Sequence, residues 1–132
     1  MTSSIDVARA VPPVVLLVED EEMLRKVVAT TLRLDGFTVV EAGEGARGLE
    51  ILKSDTPIDV LLTDIRMPGM NGYELATESI SLRPSMPVMF MTGYAEEQMP
   101  DAIRGMAIPM IRKPFNFATL GQSIRDVIAD RK

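Results

Sequence analysis

Neither histidine nor cysteine occurs anywhere in the 132 residues. Without cysteine there are no disulfides, no thiolate nucleophiles and no zinc-thiolate sites. Without histidine there are no Ser-His triads, no imidazole general bases and no histidine metal ligands. What remains is the chemistry of carboxylates, lysine amines and hydroxyls. An excess of positive charge is lacking too, since 14 Lys and Arg against 19 Asp and Glu give a net charge of −5 and a pI near 4.7. That balance argues against a footprint for nucleic acid or an anionic membrane surface and favours cations and other proteins as partners. Long apolar runs are also missing. The longest, 14–18, is far too short to span a bilayer, and the residues ahead of it lack the charged start of a signal peptide, so a cytoplasmic location is expected.

What is present is enough apolar residue, 46% of the chain, for one core and little more. Residues 1–13 (MTSSIDVARAVPP) show no sustained period and read as a leader or linker, which leaves 14–130 as the domain. Five apolar runs follow: VVLLV (14–18), FTVVEA (37–42), VLLT (60–63), VMFM (88–91) and MIR (110–112). Stretches of helical period separate them. Leu24, Val27, Val28, Thr31 and Leu32 fall on one helix face, which Gly36 ends. Phe117, Leu120, Ile124, Val127 and Ile128 mark the last helix, with Asn116 as its N-cap. Weaker helical stretches cover 45–52, 72–80 and 97–104, the last containing Pro100 and ending at Gly105. Such alternation predicts an α/β domain in which five helices flank a doubly wound, five-stranded parallel sheet. Its loops at the strand C-termini should converge where the winding reverses.

Four polar residues stand at corresponding strand ends: Asp20, Asp64, Thr92 and Lys113. Singly, a carboxylate there caps a helix, a Thr is an ordinary strand residue and a Lys is solvated. Four together, aimed at one crevice, point to a site. Facing carboxylates repel unless a cation lies between them, and few oxygen ligands with room for water suit Mg²⁺ better than a caged Ca²⁺. Glu19 adds a further acidic group, as outer support or as surface charge. An ionised Asp attacks phosphorus without a general base, so Asp64 can serve as a phosphoryl acceptor in a protein that has no histidine. Lys113 would neutralise the phosphoryl oxygens, and the Thr92 hydroxyl would donate to one of them and draw its loop inward.

These motifs, V-E-D-E-E (18–22), T-D-I-R-M-P-G-M-N-G (63–72), M-T-G-Y (91–94) and R-K-P-F (112–115), resemble in order and spacing the receiver domains of two-component response regulators. The resemblance runs over nearly all of 14–128. It implies a flavodoxin-like fold with strand order 2-1-3-4-5 and phosphoryl transfer to Asp64 from the phosphohistidine of a kinase or phosphotransfer protein. It further implies Mg²⁺ held by Asp20, Asp64 and the Arg66 carbonyl with Glu19 in support, and a cis bond before Pro114 that aims Lys113 inward. Arg66 and Tyr94 would edge the phosphate and tune its lifetime. The output surface would be the fourth helix, fifth strand and fifth helix. One departure is Met110, where many family members carry a Tyr or Phe that moves with the Thr; the reading here is that Tyr94 is the moving ring instead. Pro68, Gly69 and Gly72 read as turn residues. A stand-alone regulator and the receiver of a hybrid histidine kinase both suit a chain that ends at Lys132.

Three rival readings are weighed against this one. Gly43 to Gly48 spells G-x-G-x-x-G between a strand and a helix, a dinucleotide signature, but in the second strand-helix unit and with Glu44 where a pyrophosphate would lie. The plainer reading is a turn at Gly43 and Gly45 and close packing at Gly48. A Mg²⁺ phosphatase of the haloacid dehalogenase type would use Asp64 as nucleophile but wants an Asp at the position of Arg66, which cannot act as general acid. A receiver-like module that binds partners without phosphorylation fits poorly with the complete set of Asp20, Asp64, Thr92 and Lys113.

Overall fold

The computed structural model describes residues 11–92, 101–113 and 116–131. The strands are β1 (Val14–Val18), β2 (Thr38–Ala42), β3 (Val60–Asp64), β4 (Val88–Thr92) and β5 (Met110–Arg112). The helices are α1 (Glu22–Leu34), α2 (Gly45–Lys53), α3 (Gly72–Leu82), α4 (Asp101–Arg104), described over a single turn, and α5 (Phe117–Asp130). All strands run parallel in one sheet of order β2-β1-β3-β4-β5, the expected architecture. Of the expected leader, 1–13, residues 1–10 lie outside the described residues, as does the expected start of the fourth helix, 97–100.

The unbroken apolar runs are explained by burial on both faces of the sheet. Leu16, Val18, Leu61, Val88 and Phe90 turn to one side, where α2 and α3 bring Ile51, Leu52, Leu75 and Ala76. Their neighbours Val15, Leu17, Leu62, Met89 and Met91 turn to the other and meet Val28 and Leu32 of α1 and Leu120 and Ile124 of α5. Two residues expected on buried helix faces lie outside them, Val27 at 47% and Phe117 at 38% exposure. The buried stripe of α1 centres on Val28 and Leu32 and leans toward Ala29, which is fully buried, so Val27 is left on the far rim. Phe117 sits in the first turn of α5, ahead of the part that packs on the sheet.

Local signals set the helix ends. Past α1 the Phe37 N–H donates to the Leu32 carbonyl (3.0 Å) and the Gly36 N–H to that of Arg33 (3.1 Å), a Schellman closure that places Gly36 at φ 98°. Asn116 caps α5 by accepting from the Ala118 N–H at 2.9 Å, as expected. α3 starts with a capping box between Asn71 and Glu74.

The end of α2 is closed from a distance by Arg83. Its guanidinium donates to the carbonyl of Leu52 in the last turn (3.1 Å), which the helix itself leaves without a donor, and to those of Ser54 (2.9 Å) and Thr56 (2.8 Å) just beyond it. Replacing Arg83 by Ala is therefore expected to destabilise the domain by about 2 kcal/mol, since charged donors to partly buried carbonyls contribute more than neutral ones. Urea unfolding checks this, and an unchanged midpoint would show that water replaces the guanidinium at no loss.

Candidate functional site

Strand order places the site. The chain winds one way from β1 to β2 and the other way from β3 through β5, so the crevice opens beside the C-terminal ends of β1 and β3. Glu19 and Asp20 follow β1, and Asp64 ends β3. One carboxylate oxygen from each of these residues lies within 4.8 Å of the other two. Asp64 is 6% exposed, and its Oδ1 accepts from the Ile65 N–H at 2.7 Å. The Lys113 Nζ reaches across to Asp64 Oδ2 at 3.2 Å and Glu19 Oε1 at 3.1 Å. Thr92 is the last residue of β4 and is buried, and its carbonyl accepts from the Lys113 N–H at 2.7 Å. That bond carries the β4-β5 ladder one residue beyond the strand and thereby aims the lysine.

Two expectations about the acidic residues change. Asp20 was expected to close the first strand, but β1 ends at Val18 and Asp20 sits exposed in the loop beyond it. Glu19, weighed between outer support and surface charge, is 1% exposed and ion-paired, so the surface-charge alternative falls. Its N–H donates to the Ala42 carbonyl (3.1 Å), which prolongs the β1-β2 ladder, and its Oε2 accepts from the Glu21 N–H (3.0 Å). Arg66 is exposed in the loop after β3, and Met110 is half-buried against the core at the start of β5. Tyr94 and the Lys113-Pro114 bond lie outside the described residues.

Burial, reinforced by the nearby Asp64 charge, pushes the Glu19 carboxyl up to about 7 against the pull of the Glu21 N–H and Lys113. For Lys113 burial favours the neutral amine, but the combined attraction of Asp64 and Glu19 prevails and holds its pKa above the usual lysine value. A pocket in which three carboxylates lie together and one ammonium pairs with two of them is short of positive charge. Its donors are hard oxygens, and exposed Asp20 leaves one side open to water, so the set suits a small divalent cation such as Mg²⁺.

Glycines let the loops approach. A side chain at Gly72 would collide with the Asp64 carbonyl, while the Gly72 N–H donates to Ile65 O at 2.8 Å, so the turn after the acceptor strand closes tightly. Gly69 takes φ 75° within it. In the glycine run on β2-α2, a Cβ at Gly48 would come within 3.0 Å of Val18 and 3.3 Å of Leu75, which agrees with the plainer reading of close packing on the sheet.

One part of the site was not anticipated. Arg25 donates from Nη1 to the Glu19 carbonyl at 2.9 Å and from Nε to Glu41 Oε1 at 3.3 Å. The available signal was Glu41 itself, a lone acid in the apolar run of the second strand, where an ionised group needs a cationic partner.

Comparison with known proteins agrees with this geometry. A family model described as the response regulator receiver domain matches residues 15–125. The chain is 38% identical over 114 residues to the C4-dicarboxylate transport transcriptional regulatory protein DctD of Rhizobium meliloti, covering 86% of this chain but only 25% of that protein. It is 33% identical over 115 residues to the response regulator receiver protein CpdR of Brucella abortus, covering 86% of this chain and 95% of that one. The crystal structure of a response regulator receiver protein from Sinorhizobium medicae superposes with a TM-score of 0.79 at 29% identity, covering 92% and 98% of the two chains.

Proposed function

The chain belongs to the response regulator receiver domain family, and on that premise we propose that it is a phosphorylation-controlled switch whose acceptor is Asp64. The observation that carries the reading is the ion pair between Lys113 and Asp64 inside a cluster of converging carboxylates. The donor is a phosphohistidine on a histidine kinase or phosphotransfer protein. An Asp64 carboxylate oxygen forms the new bond to phosphorus as the phosphorus–nitrogen bond breaks, and the bonding pair leaves on the imidazole nitrogen. Lys113 balances charge on the transferring oxygens, and the Thr92 hydroxyl donates to one of them once they arrive.

Asp20 and Asp64 would hold Mg²⁺ together with the Arg66 carbonyl, and Glu19 would support them. When bound, the cation supplies positive charge for the phosphoryl oxygens. Phosphorylation then alters a protein-binding surface, which we assign to α4, β5 and α5 because they adjoin Thr92 and Lys113. Arg66 and Tyr94 border the phosphate and set its lifetime. We place the activity in the cytoplasm; no helix among the described residues is long and apolar enough to cross a membrane. The role is regulatory rather than that of a turnover enzyme, since Arg66 stands where a phosphatase of similar site needs a general acid.

Incubation with acetyl phosphate and Mg²⁺ is expected to add a single phosphoryl group, seen by intact mass, and chelation of the cation should prevent it. Phosphate release should stay stoichiometric with protein over one cycle of decay. Continuous release of many equivalents would favour the phosphatase reading, and no adduct under any donor would favour a module that works without phosphorylation.

A further inference from the structure

All the backbone and side-chain polar atoms of Glu19 are held: the N–H by Ala42, the carboxylate by Lys113 and the Glu21 N–H, and the carbonyl by Arg25. The last of these has a consequence for the neighbouring residue. The Glu19 carbonyl and the Asp20 N–H belong to one planar peptide unit, so fixing that oxygen fixes the plane from which Asp20 departs. Asp20 itself is exposed, and its direction depends on its backbone.

The Arg25 guanidinium is well placed to do this. Its side chain is only 15% exposed, and Glu41 anchors it through Nε. Glu41 is in turn kept ionised. Burial works against the charge, but Lys26 at 3.2 Å and Arg33 at 3.1 Å act with Arg25 to hold its carboxyl below the usual range. Space for the guanidinium is left by Gly43, where a Cβ would sit 3.1 Å from Nη1. A planar fork with separated donors can grip a carbonyl and a carboxylate at once, which an ammonium cannot do in the same geometry.

We propose that Arg25 is a positioning residue for the acidic pocket: anchored on Glu41, it holds the Glu19-Asp20 peptide so that the Asp20 and Glu19 carboxylates face Asp64. Cation affinity thus depends on a side chain that touches no cation. The inference rests on the reading of the pocket as a Mg²⁺ site. Residues that orient ligands in this manner characteristically change metal affinity by tenfold or more when removed.

The test is Mg²⁺ titration of the unphosphorylated full chain, followed by calorimetry and by the amide resonances of Asp20 and Asp64. Arg25→Ala is expected to weaken Mg²⁺ binding about tenfold. Arg25→Lys and Glu41→Gln should fall between it and wild type, and they serve in its place should Arg25→Ala fail to fold. Arg33→Ala removes a cation from the same carboxylate without touching Glu19 and should stay within about twofold of wild type. At saturating Mg²⁺ the acetyl phosphate reaction of Arg25→Ala should regain the wild-type rate, because the defect lies in affinity. Unchanged affinity in Arg25→Ala, or an equal loss in Arg33→Ala, overturns the role of Arg25 alone. Wild-type protein that binds no Mg²⁺ overturns the reading of the pocket and this proposal with it.

Discussion

Asp64→Asn is expected to remain folded and to gain no phosphoryl group from acetyl phosphate under conditions that modify the wild type fully. A neutral amide has no nucleophilic oxygen for phosphorus, so the loss should be complete rather than partial. The fold should survive for two reasons. Asn keeps an Oδ1 able to accept from the Ile65 N–H, the bond seen at 2.7 Å, and Lys113 keeps its contact to Glu19. The substitution also removes the like charge that, with burial, raises the Glu19 carboxyl, so that group should titrate closer to the ordinary carboxylate range. The variant thus has two independent signatures, intact mass and the Glu19 titration followed by carboxyl-carbon NMR. A phosphorylated Asp64→Asn protein would place the acceptor on another residue and leave the function proposed here without its centre.

Much of the framework was readable from the chain because its physics is local or periodic. Parallel strands buried on both faces leave apolar runs such as VVLLV and VMFM, and the winding rule then fixes where their ends meet. That Asp64 and Lys113 would meet was legible because strand C-termini on one edge of such a sheet share a crevice. Burial within a loop was not legible. The sequence puts Glu19 and Asp20 side by side, and only the extension of the β1-β2 ladder through the Glu19 N–H to Ala42 decides that the first is buried and the second exposed. The role of Arg25 was hidden for a related reason. It couples α1, the β1 loop and β2 through a backbone carbonyl, and a carbonyl carries no residue identity for a motif to display. The rim position of Val27 depends on how far α1 rolls on the sheet, which periodicity alone leaves free by about one residue.

Lys113→Met should have the other large effect, on chemistry and on stability together. Loss of an ammonium that opposes charge developing on transferring oxygens is expected to slow phosphorylation by about 10²–10³-fold. Stability should fall near neutral pH, because Glu19 and Asp64 would face each other with their ion-pair partner removed. Complete burial would make that loss about 3–5 kcal/mol, but Lys113 is 22% exposed, so roughly 1–3 kcal/mol is expected. The sign of the pH dependence follows from the titrations. In metal-free wild-type protein the folded Glu19 binds its proton up to about pH 7, whereas the unfolded group releases it near 4.5. Folded protein holds more protons across that window, so stability declines as pH rises through it, by on the order of 3 kcal/mol. Lys113 is protonated in both states across this window and adds no slope of its own there; its raised pKa means that its charge stabilises the fold throughout, a contribution lost only as pH rises past the ordinary lysine value. Its removal should lift the Glu19 midpoint further, so that the decline extends above pH 7 and its total grows. Urea unfolding in chelator at several pH values measures both curves, and Mg²⁺ should flatten the wild-type one by taking up the carboxylate charge. A Lys113→Met curve parallel to wild type, displaced by a constant, would mean that the ammonium contributes packing and does not balance the acidic pocket.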